Sequence, residues 1–140
     1  MNLAKMKAAR VIFFIVGVCV ALVSGMSDEM KDLLDSLHAQ CLSDSGVNEE
    51  LISKAQKGEF EEDEKLKCYM SCIFEETGLF GDDGKIDVEG MVSMLPDEIK
   101  EPFAPTVRKC GGLVSGSPCE QSFKMYKCCF DEAPQYYFLP

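Results

Sequence analysis

The chain has 140 residues, with 14 Lys and Arg against 24 Asp and Glu, a formal net charge of −10, eight cysteines and one histidine. So acidic a chain is ill suited to nucleic acid or to anionic membrane surfaces, which attract basic patches. With a single His, and only Cys68-x3-Cys72 near the cysteine spacing of zinc ligands, a zinc site is disfavoured as well.

Residues 1–25 read as a secretory signal peptide. Lys5, Lys7 and Arg10 form a basic start, an apolar run follows from Val11 to Val23, and Val23-Ser24-Gly25 offers small residues for cleavage. The run falls short of the roughly 20 residues that a membrane span needs. Cys19 would leave with the leader. The remaining domain, 26–140, holds 11 basic and 24 acidic residues, a net charge of −13. Seven cysteines remain, which in a small secreted chain predict three bridges and one spare thiol.

Ser27 can cap a first helix, in which Met30, Leu33, Leu34, Leu37, Cys41 and Leu42 recur at helical spacing. Asp44-Ser45-Gly46 ends it. Asn48 caps a short second helix that Gly58 terminates. The acidic run Glu59 to Glu64, with Phe60 in it, reads as a solvated linker. The stretch Lys65 to Glu76 then forms a central helix with Gly78 as its stop. It places Cys68 and Cys72 one turn apart on one face, able to tie two other parts of the chain.

Asp82-Asp83-Gly84-Lys85-Ile86-Asp87 suggests a calcium loop but fails on register. With Gly84 as the sixth position, the first, third and twelfth are Leu79, Gly81 and Gly90, none of them side-chain ligands. Instead, Asp87 caps a short helix with Val88, Met91, Val92 and Leu95. Pro96-Asp97-Glu98 starts a fifth helix. Pro102 and Pro105 each remove a backbone bond, so this helix is expected to be kinked or to form properly only from about Pro105 to Cys110. Gly111-Gly112 is expected to stop it. Ser117-Pro118 starts the last helix, which runs to about Phe130. Its Cys119 and Cys128 face apart, which predicts burial between two partners. No segment alternates as a strand does, so the fold class is all-α. The tail Tyr136-Tyr137-Phe138-Leu139-Pro140 is unusually apolar for a terminus and reads as extra core or as a lid over a cavity.

The spacing Cys41-x26-Cys68-x3-Cys72-x37-Cys110-x8-Cys119-x8-Cys128 resembles the six-cysteine signature of the insect odorant-binding proteins, the pheromone-binding and general-odorant-binding family. Asp63 to Cys72 and the ending Tyr137-Phe138-Leu139 look like the branch with mosquito and fly antennal members. The resemblance implies a compact six-helix domain around an apolar cavity, with bridges Cys41–Cys72, Cys68–Cys119 and Cys110–Cys128. Residues alone leave the connectivity of six cysteines open. It also implies reversible carriage of small hydrophobic odorants or pheromones through sensillum lymph, allows for an olfactory receptor as partner and for a homodimer, and calls for no cofactor.

Two positions depart from the family pattern. Cys129 stands where many relatives place a large aromatic, and it is expected to be a free thiol. Pro140 stands where Val or Ile is more common. Together with the resemblance, the apolar flanks of the last four helices predict a pocket lined by Phe74, Leu79, Phe80, Val88, Met91, Leu95, Phe103, Phe123, Tyr126, Cys129 and Phe138. The resembling branch also places a histidine and a tyrosine at His38 and Tyr69, near the terminal carboxylate. This predicts a latch in which both hold Pro140 and close the tail over the pocket. The sign of its pH dependence stays open. A buried neutral His38 would charge in acid and open the lid, whereas a charged one would grip more tightly.

No nucleophile sits with a histidine base in a known motif, and no phosphate loop is present, so no enzyme is expected. A membrane-active defence protein would need the opposite charge. A hydrolase using His38 and a carboxylate is the weakest alternative. A carrier of apolar ligands outside olfaction remains the nearest one.

Overall fold

Side-chain caps place most of the helix starts. In a computed structural model, which describes residues 28–140, the helices are α1 (28–45), α2 (Glu49–Gln56), α3 (Glu64–Glu76), α4 (Val88–Met94), α5 (Asp97–Leu113) and α6 (Pro118–Glu132). A 3-10 turn follows at Pro134–Tyr136. The expected leader, with Cys19, and the expected cap Ser27 lie outside the described residues. Asn48 accepts from the Glu50 N–H, Asp63 from Leu66, Asp87 from Gly90 and Ser117 from Glu120. Each bond satisfies an amide that the first helical turn leaves unpaired. Gly46, Gly58 and Gly78 take positive φ where α1, α2 and α3 end. Among the described residues the only extended pairing is an isolated bridge between Phe80 and Ile86, so the fold is all-α. None of these helices is long and apolar enough to cross a membrane.

Residues up to 36, which include the first part of α1, belong to one unit and residues 37–140 to another. Within the larger unit α3 is central. Its Leu66, Tyr69 and Met70 are wholly buried, and its most extensive packing is against α6. Cys72 bonds Cys41 of α1, and Cys68 bonds Cys119 of α6. Cys110 of α5 bonds Cys128 of α6. Closing loops of 31, 51 and 18 residues, the bridges contribute roughly 3–4 kcal/mol each in the chain-entropy account. Such support offsets packing that a hollow domain lacks.

Three local expectations change. Helix α5 is continuous through Pro102 and Pro105. Both prolines are exposed, three residues apart on the outer face. The carbonyls they strand therefore lie toward water, while Phe103, Ala104, Val107 and Cys110 keep a buried inner face. Gly111 and Gly112 do not stop α5, which runs on to Leu113. Gly111 is where Val88 of α4 packs directly onto the α5 backbone, leaving no room for a Cβ. The acidic linker is also more than solvated chain. Phe60 makes T-shaped contacts with Phe123, Phe130 and Tyr137 at 5.8, 6.0 and 6.0 Å between ring centres.

Candidate functional site

An apolar pocket of about 330 Å³ opens between the last three helices and the tail. Its wall comes from residues one helical turn apart: Met91 and Leu95 at the α4 end, and Ile99 and Phe103 on α5. Helix α6 adds Met125, Tyr126 and Cys129, and α3 contributes Phe74. Pro96 lies between the α4 and α5 walls, and Tyr136, Tyr137 and Phe138 close the remaining side. Phe74 stacks on Tyr126 at 4.9 Å with the rings 8° from parallel, fixing the floor. Phe138, 59% exposed, stands at the rim.

Seven of the residues expected from the sequence line this pocket: Phe74, Met91, Leu95, Phe103, Tyr126, Cys129 and Phe138. The other four lie elsewhere. Phe123 sits under the Lys67 ammonium, 5.2 Å from its ring centre, and against Phe60. Val88 packs on Gly111. Leu79 is buried in the turn after α3, its carbonyl accepting from Asp87 at 2.8 Å. Phe80 meets Phe74 in a T-shaped contact at 6.3 Å, one layer back from the pocket. The sequence reading did not include Pro96, Ile99, Met125, Tyr136 and Tyr137. Ile99 stands one turn before Phe103, a spacing that could have revealed it.

The tail is held at three points. The Tyr137 hydroxyl donates to the Ala55 carbonyl at 2.9 Å. Leu139 is 3% exposed, and its carbonyl accepts from the Gln56 amide at 3.2 Å. The Tyr69 hydroxyl donates to a main-chain oxygen of Pro140 at 2.6 Å, while His38 Nδ1 lies 2.7 Å from the same hydroxyl. The three predicted latch residues therefore meet, but in series: His38 touches Tyr69, and Tyr69 touches Pro140. A phenol has one proton. With that proton on Pro140, His38 Nδ1 must be the donor to Tyr69. On the other side of the ring Nε2 faces Glu49 Oε1 at 3.3 Å, another acceptor.

Burial keeps Cys129, Tyr126 and Tyr137 at the pocket in their neutral forms. Burial pushes the Cys129 thiol up to about 12, and Cys129 is unbridged. Burial likewise raises Tyr126, Tyr137 and Tyr69 above the ordinary phenol value. A protonated thiol is a poor nucleophile, so the pocket has shape and hydrogen-bond donors but no activated attacking group. Among the described residues no three His, Cys, Asp or Glu are grouped to hold a metal.

A second concavity of about 590 Å³ lies beside the 83–86 loop and the start of α6. Of its polar side chains, the buried Gln121 already pairs with Gly84 and Gly116 carbonyls at 3.0 and 2.9 Å and with the Ile86 N–H at 3.3 Å. That amide joins loop to helix and is not aimed at a ligand.

Residues 24–132 match the sequence pattern of the PBP/GOBP family. The chain is 29% identical over 125 residues to the B1 protein of Tenebrio molitor, covering 86% of this chain and 93% of that one. Odorant binding protein 5 of Apis mellifera has a similar structure, with a TM-score of 0.73 at 25% identity, over 81% of this chain and 96% of the other. Odorant binding protein 7 of Anopheles gambiae, with four disulfide bridges and in complex with an azo compound, superposes with a TM-score of 0.69 at 26% identity, over 77% and 89%.

Proposed function

The chain belongs to the PBP/GOBP family, and from that premise and the pocket we propose that it is a non-enzymatic carrier of small hydrophobic molecules. The observation that carries the reading is the pocket itself: about 330 Å³, walled by apolar and aromatic side chains and closed on one side by a tail pinned at Tyr137, Leu139 and Pro140. This volume is at the small end of ligand sites, so size and shape should dominate selection. The related Anopheles protein, in complex with an azo compound, supports an organic ligand of modest size. In this reading residues 1–25 are removed as a leader and domain 26–140 works outside the cell. In sensillum lymph it takes up odorants or pheromones and delivers them to olfactory receptors.

The finer part of the proposal is a lid. The tail closes the pocket through His38, Tyr69 and Pro140. His38 links the latch to α2, with Nδ1 against the Tyr69 hydroxyl and Nε2 against Glu49. Saturable displacement of the apolar fluorophore N-phenyl-1-naphthylamine tests carriage. Repeating it at pH 7.5 and 5.5 with wild type and His38→Ala tests the lid. Failure of any apolar compound to displace the probe would reject the carrier. Identical pH behaviour of the two proteins would reject the role of His38.

A further inference from the structure

Among the tyrosines that are nine-tenths or more buried, Tyr126 differs from Tyr69 in one respect. The Tyr69 hydroxyl is paired, and so is that of the less buried Tyr137. Tyr126 is 8% exposed, yet its hydroxyl makes no hydrogen bond among the described residues. No fully occluded side-chain oxygen or nitrogen there lacks a partner. The Tyr126 hydroxyl must therefore touch open space, and the space that Tyr126 lines is the apolar pocket. Its direction is fixed with its ring, which stacks on Phe74 and takes the edge of Tyr137 at 6.2 Å and 85°. One turn along the same face is Cys129, whose protonated thiol is a weaker donor.

We propose that the Tyr126 hydroxyl is a hydrogen-bond donor reserved for the ligand, so that the pocket favours apolar molecules bearing one oxygen acceptor, such as a ketone, aldehyde or ester. The inference rests on the carrier reading and narrows its ligand class. The reasoning is one of compensation. A hydrocarbon that fills the pocket strips water from the hydroxyl and gives nothing back. A carbonyl at that point restores the bond. The other walls are carbon and sulfur except for the hydroxyls of Tyr137, which is taken by Ala55, and of the half-buried Tyr136 in the tail, so most of the ligand is apolar. Because the hydroxyl has no internal partner to lose, Tyr126→Phe should keep the fold and the shape of the pocket.

The test compares a medium-chain methyl ketone with the alkane of equal length, each competing with N-phenyl-1-naphthylamine. Taking the ratio of their affinities in Tyr126→Phe against wild type cancels their different solubilities in water. The expected result is a shift of about threefold to tenfold against the ketone, the size of one net hydrogen bond. Infrared spectra of a carbonyl-13C ketone bound to wild type give a readout independent of any variant. Its stretch should be lowered from the value in hydrocarbon solvent. An unchanged ratio, or a bound carbonyl stretch equal to that in hydrocarbon, overturns the proposal while leaving the carrier intact. If the probe binds wild type and neither compound displaces it, this proposal falls; if the probe does not bind wild type, the carrier reading falls and this inference with it.

Discussion

Tyr69→Phe removes one oxygen from the hinge of the proposed lid. Tyr69 is wholly buried, and its hydroxyl bonds both His38 at 2.7 Å and Pro140 at 2.6 Å. The ring stays, so core packing is unchanged. His38 and Pro140 are only partly buried, and water can take over part of what they lose. The cost is therefore about 1–2 kcal/mol, below the full penalty for two orphaned groups. Such an energy changes the ratio of closed to open tail by a factor of about 5–30. If the tail gates the pocket, a bound fluorophore should leave faster by up to that factor. Stopped-flow release and urea unfolding on the same protein separate the two roles. Lost stability with an unchanged release rate would mean that Tyr69 only braces the core, and the lid would be wrong.

Gly58→Ala should destabilise more than Gly78→Ala in urea unfolding. Both positions have positive φ, but only at Gly58 does the Phe130 ring fill the space a Cβ needs; the clash adds about 1–3 kcal/mol. Cys129 in the leaderless chain should resist iodoacetamide at pH 8 while folded, since burial holds its thiol up to about 12, and should react at once in denaturant. The Lys67 ammonium, bonded at 2.7 Å, holds the Glu120 carboxyl below the usual carboxylate range. This pair supports the fold above the unfolded glutamate value of about 4.3, and the support fades as pH falls through the lower folded value. Glu120→Gln should therefore lose part of the acid dependence of the unfolding midpoint below that point.

The helix starts were legible because the caps are local. Asn48, Asp87 and Ser117 need only the next three residues to act; Asp63, read as part of the linker, caps α3 in the same way. Helix α5 starts at Asp97 rather than near Pro105 because a lost bond harms a helix little when the freed carbonyls face water, and exposure is a tertiary property. Gly111 read as a stop because its actual role, a seat for Val88, depends on a partner 23 residues earlier. The pocket face of α6 was misjudged by a rotation. At about 100° per residue, Phe123 and Cys129 flank Tyr126 on opposite sides, and the cavity takes the side of Cys129 and Met125. Nothing within α6 distinguishes those sides. Lys67, held by Glu62 and Glu120 at 2.7 Å each, claims the Phe123 side.

The central claim is that an apolar molecule occupies the space beside Cys129. It is tested most directly by filling that space. Wild type should bind N-phenyl-1-naphthylamine saturably with one site per chain. Cys129→Phe, with its three bridges and helical content verified as intact, should lose that binding by a factor of ten or more, about 1.4 kcal/mol. Undiminished binding by the folded variant would place the ligand elsewhere and contradict the account.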